Sequence, residues 1–97
     1  MPVATLTLEI RIEMAHSLKD KRQVVRSLKD KLRNGFNISV AELDVTDLWQ
    51  RATIGVAAIS HSRDYLRGQM EQVEQAAHRI LQDHGAEITD SYCDIEG

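Results

Sequence analysis

Two stretches of helical period, each enclosed by stretches of strand period, constrain this chain more than any other feature. Val3–Glu13 alternates, with Ala4, Leu6, Leu8, Ile10 and Ile12 on one side and Thr5, Thr7, Glu9 and Arg11 on the other. That is the pattern of a half-buried strand. From Ser17 to Gly35 the apolar residues Leu18, Val25, Leu28 and Leu32 recur at helical spacing instead. Asn37–Val45 and Arg51–Ser60 return to alternation, and Arg63 to about His84 carries a second helical seam of Leu66, Met70, Val73, Ala77, Ile80 and Leu81. A short polar strand, Ala86–Ile95, is expected at a sheet edge.

The punctuation agrees with these segments. Ser17-Leu18-Lys19-Asp20 reads as a capping box, Ser62 as the cap of the second helix, and Gly85 as its end. Asn34-Gly35 is expected to stop the first helix in the left-handed conformation that glycine adopts cheaply. Within the second strand the inward set changes from Ile38 and Val40 to Leu43 and Val45, which predicts a bulge or an arm leaving the sheet. Asp47-Leu48-Trp49-Gln50 is the turn before the third strand.

The order is therefore βαββαβ. In a chain of 97 residues it predicts one domain, 1–97, of α+β class. The architecture is a ferredoxin-like two-layer sandwich: a four-stranded antiparallel sheet with two helices on one face. Right-handed crossovers place the first and third strands in its centre.

Several functions are disfavoured by what these segments contain. The single cysteine, Cys93, forms no internal disulfide and no CxxC pair. No signal peptide is visible and no apolar run approaches 18 residues, so a soluble, cytoplasmic protein with no membrane partner is expected. His16, His61, His78 and His84 are isolated, so neither a metal site nor another cofactor is expected. GxSxG, Walker-type and GxGxxG motifs are missing, and the protein is expected not to be an enzyme. The loop Glu13-Met14-Ala15-His16 is neither the phosphate cradle of an acylphosphatase nor the MxCxxC of a metal chaperone. The third strand has no aromatic residue on which a base could stack, and no GxxG loop is present.

What remains is charge. Ser17–Gly35 holds seven of the twelve Lys and Arg residues and two acids, so it carries +5 and leaves −8 for the rest of a chain of net charge −3. Lys19, Arg22, Arg26, Lys29 and Arg33 step by three and four residues into one helical stripe. It lies about 100° round the helix from the apolar centre. With Lys21 and Arg51, this stripe is the candidate site for RNA or another anion, read through phosphates and shape. A solvated face that keeps the protein soluble accounts for the same residues. Trp49, with Leu43, Val45 and Leu48, forms a second candidate, an apolar cluster suited to an interface. The outward sheet face is small and flat, suited to water or to a second copy of the chain in a homodimer.

Ser17-Leu18-Lys19-Asp20-Lys21-Arg22, Leu32-Arg33-Asn34, Phe36-Asn37-Ile38-Ser39-Val40-Ala41-Glu42 and Asp47-Leu48-Trp49-Gln50-Arg51-Ala52, with Gly55-Val56-Ala57, together resemble the YlxP-like family over about residues 3–95. These are small bacterial proteins of unassigned function. The resemblance implies a ferredoxin-like fold and no catalytic residues. Its genes often lie among those for translation initiation and ribosome maturation, which implies ribosomal RNA or a ribosomal particle as partner. Gly35 departs from the pattern, since relatives often carry another basic residue there. The expected function is that of a non-enzymatic accessory protein of translation or ribosome assembly; the alternative is a protein–protein or oligomerisation module using Trp49 and the open sheet face.

Overall fold

The structure, a computed structural model, describes residues 1–44 and 48–97. Its elements run β1 (Val3–Ile12), α1 (Leu18–Gly35), β2 (Ser39–Glu42), β3 (Arg51–Ile59), α2 (Arg63–Gln82) and β4 (Ala86–Glu96). All strand pairs are antiparallel, and the sheet order is β2-β3-β1-β4. The ferredoxin-like order read from the periodicity is found, with β1 and β3 central.

The sequence explains why the layers hold. Every second residue of β1 and β3 is buried beneath the helices, including Leu6, Leu8, Ile12 and Ile54. These meet Val24, Val25, Leu28 and Leu32 of α1 and Leu66, Met70, Val73 and Leu81 of α2 in one contiguous core. Burying a side chain of this kind contributes about 1.5–3 kcal/mol, which offsets the entropy lost in ordering the chain.

Helix starts follow the sequence closely. The Ser17 hydroxyl accepts from the Asp20 N–H at 3.1 Å, and the Ser62 hydroxyl accepts from Tyr65 N–H at 3.1 Å. Asp20 returns its carboxylate to the His16 N–H at 2.9 Å, one residue earlier than a capping box requires.

Helix and strand ends differ in three places. Gly35 remains helical with no positive φ, and α1 ends when Phe36 turns extended and donates its N–H to the Leu32 carbonyl. Phe36 packs against the core, so burial rather than glycine geometry terminates the helix. Gly85, by contrast, takes φ 64° and ends the α2 segment as expected. The predicted irregularity in the second strand is not found among the described residues. Leu43 stays in the ladder, its N–H donating to the Thr53 carbonyl at 2.8 Å, and points to the open face simply because it is odd-numbered. The bulge lies in β4 instead, where Thr89 is the extra residue opposite the Glu9–Ile10 step. Val45 and Asp47 lie outside the described residues.

Candidate functional site

Helix α1 sits between two neighbours that define its exposed flank. On one side Ser27 Oγ and His84 Nε2 lie 3.1 Å apart, tying α1 to the end of α2. On the other, Arg33 Nη2 donates to the Val40 carbonyl of β2 at 2.7 Å. The basic stripe thus runs along the outer flank of the helix, above the edge strand β2. Lys19, Arg22, Arg26 and Arg33 are exposed, and Lys29 is half-buried. Among the described residues no carboxylate lies within ion-pair distance of Lys19, Arg22, Arg26, Lys29 or Arg33. Unneutralised positive charges along one ridge present a favourable potential to an anion.

Lys21 is not part of that ridge. It is only 2% exposed, and its Nζ lies 3.8 Å from Glu42 Oε2. The position shares the helical face of Val25, Leu28 and Leu32, so its carbon stem is buried while the ammonium reaches the β2 carboxylate. Its helical phase, four and seven residues before Val25 and Leu28, was the sequence signal for this placement. Arg51 is also separate: it begins β3 on the side of the sheet opposite the helices, paired in register with Arg11. The structure therefore brings together five of the seven candidate phosphate contacts.

The second cluster is partly assembled. Trp49 is 49% exposed, and Leu48 is exposed beside it next to Gln50 and Arg51. Gln50 fixes the turn, its amide donating to the Glu13 carbonyl at 3.0 Å while its own carbonyl accepts from Ile12 N–H at 2.8 Å. Leu43 folds over Gly55 on the open sheet face: a Cβ at Gly55 would lie 2.8 Å from Leu43 Cδ1.

Chemistry elsewhere is sparse. Among the described residues no three His, Cys, Asp or Glu side chains come together to hold a metal. No helix among them is long and apolar enough to cross a bilayer. Cys93 lines a shallow groove with Arg63, Arg67 and Glu74, where partial burial and the nearby Asp94 and Glu74 carboxylates raise its thiol pKa. A raised pKa keeps the thiol neutral and makes it a poor nucleophile near neutral pH.

Comparison with known proteins places this geometry. The family model described as "Protein of unknown function (DUF503)" matches residues 3–92. The uncharacterized protein YlxP of Bacillus subtilis (strain 168) is 39% identical over 82 residues, covering 84% of this chain and 76% of that one. Among solved structures, Arabidopsis thaliana MSL1 is similar at a TM-score of 0.63 and 18% identity, over 92% of this chain and 34% of its own. The chain thus spans about a third of MSL1. The de novo designed protein LFR1 1, which has a ferredoxin fold, is similar at a TM-score of 0.57 and 9% identity, over 99% of this chain and 84% of its own. These structural likenesses carry the fold and nothing further.

Proposed function

The chain belongs to the DUF503 family, whose description assigns no activity, and on that premise we propose a non-enzymatic accessory protein of translation or ribosome assembly. In this reading it is cytoplasmic and grips the phosphates of structured RNA with Lys19, Arg22, Arg26, Lys29 and Arg33. The observation that carries the proposal is the unneutralised ridge: five cations on one flank of α1, with no carboxylate in ion-pair distance among the described residues. From Lys19 to Arg33 the ridge rises about 21 Å along the helix, long enough to follow several phosphates. The remaining −8 of charge repels a polyanion elsewhere, so contact is confined to one orientation.

Recognition of this kind is electrostatic and independent of sequence. Four or five phosphate contacts along a double-helical segment give a log–log salt slope of about −4. Replacing Arg22, Arg26 and Lys29 together by Glu should abolish co-sedimentation with ribosomal particles. Association that persists unchanged at moderate salt would end the proposal.

A second reading takes the open sheet face and the Trp49 turn as a protein interface, including a homodimer. It is favoured by the exposure of Trp49, Leu48 and Leu43 around one hairpin.

A further inference from the structure

The sheet face turned away from the helices is a grid fixed by strand register. One row crosses Ala41, Gly55, Thr7 and Tyr92, on β2, β3, β1 and β4 in turn. The row on one side reads Ser39, Ala57, Thr5 and Asp94; on the other it reads Leu43, Thr53, Glu9 and Asp90. The relief within the middle row is uneven. Tyr92, 67% exposed, stands up from β4, whereas Ala41, Ala57, Thr5 and Thr7 line a hollow of about 420 Å³ beside Leu43, which itself covers Gly55. The hollow is centred on β3 and reaches β1, so its middle lies across the line between β1 and β3 from Tyr92.

We propose that two copies of the chain pair through these faces about a two-fold axis running along that line, each Tyr92 entering the hollow of the other copy. This deepens the open-face reading above and rests on it, while being independent of the RNA ridge in the helical layer. An axis parallel to the strands lays β4 of one copy on β2 of the other and keeps the rows aligned. Tyr92 then meets Ala41 and the Leu43 side chain that covers Gly55, and Ile59 meets Val3, itself its neighbour within one chain. The contact is isologous, so it closes at two copies.

Charge selects this arrangement over its alternatives. An in-plane axis across the strands would stack β4 on β4, setting Asp90, Asp94, Glu87 and Glu96 against their own copies. With β4 over β2, Asp94 and Asp90 instead stand over Ser39 and Leu43, away from their own copies. Arg11, which meets Arg51 of the second copy, is already held by Glu87. Pairing by strand edges is hindered at two points: Arg33 occupies the outward Val40 carbonyl of β2, and Arg63 donates to the Ile95 carbonyl of β4 and the Gly97 carbonyl beyond it at 3.1 and 3.0 Å. Strand spacings of about 4.8 Å and rises of about 3.3 Å, along about nine residues of three strands and the five from Ser39 to Leu43, give a footprint of about 500 Å² per copy, or about 1,000 Å² buried. That is a small interface, at the threshold of about 1,000 Å² for a specific contact and below the size of about 1,200 Å² where the standard class begins.

The test is oligomeric state combined with placed thiols. Light scattering should give twice the chain mass at about 0.1 mM. Tyr92→Ala should weaken the dimer at least tenfold, as should Ala41→Trp, which fills the hollow; Tyr92→Phe should retain it. In a Cys93→Ser background, Ser39→Cys with Asp94→Cys should form a covalent dimer with a short bismaleimide, whereas Asp94→Cys alone should not. A dimer indifferent to Tyr92→Ala, or crosslinked through Asp94→Cys alone, overturns this arrangement and leaves an open-face interface standing. A monomer at every concentration overturns both. RNA association should be the same for wild type and Tyr92→Ala.

Discussion

At the scale of single residues, Lys21 separates composition from surface. Counting cations along α1 treats Lys21 and Arg22 alike, yet one is buried against Glu42 and the other faces solvent. The two should therefore fail differently. Lys21→Met keeps the buried volume and removes the charge facing Glu42, so it should cost about 1–2 kcal/mol. In a chain of this size that lowers Tm by roughly 4–16 °C, with RNA affinity unchanged. Arg22→Met should leave the thermal melt within about 0.5 kcal/mol of wild type and weaken RNA association. Melting curves and a salt-controlled binding assay on the two variants check this directly. Charge alone places Lys21 with the anion-binding residues, and only its helical phase, shared with Val25, Leu28 and Leu32, signals the burial that the structure shows. Tyr92 was harder to see, because the extra residue Thr89 breaks the alternation that would have assigned its face.

At the scale of elements, the strands and helices were read correctly because periods of two and 3.6 residues are properties of backbone geometry. Their ends depend on contacts from distant parts of the chain, and these were less legible. The helix α1 runs through Gly35 since Phe36, one residue later, is drawn to the core. The short edge strand β2 was read as longer and irregular because Leu43 looks like a misplaced core residue, whereas it covers the open space above Gly55. Each edge strand also receives an arginine from a helix, a tertiary pairing that no local pattern announces. Arg63→Ala should free the Ile95 and Gly97 carbonyls and loosen the end of β4. Hydrogen exchange should show faster exchange of the Asp94 and Glu96 amides, with the amides of β3 protected as in wild type. Uniform protection across both strands would show that the arginine contributes nothing there.

At the scale of the whole molecule, both helices and all four strands contribute to a single core. Leu8 is fully buried on the central strand β1, between β3 and β4. Leu8→Ala should cost about 3 kcal/mol through lost burial and an unfilled cavity. The melt should move down by well over 10 °C and stay cooperative, with far-ultraviolet and near-ultraviolet signals falling together. Two separated transitions would mean that the helical layer and the sheet are stabilised independently. The candidate ridge and the open face lie on opposite layers of this one body, so either can be altered without disturbing the other. The sequence shows the ridge, since charge and spacing are local, but relief on the sheet emerges only when four distant segments are set in register.

The extra residue in β4 has a consequence of its own. Were Thr89 paired with Glu9 and the bulge smoothed out, every position from Asp90 onward would shift by one against β1, and Tyr92 would be turned beneath the helices while Ser91 and Cys93 faced outward. One inserted residue thus works as a phase shift, deciding which of two alternating messages written along a single strand is delivered to the outside. Deleting Thr89 would straighten the strand with Asp90 still opposite Glu9 and the outer surface of β4 unchanged, whereas pairing the full-length strand without its bulge would swap that surface at once, with no residue replaced.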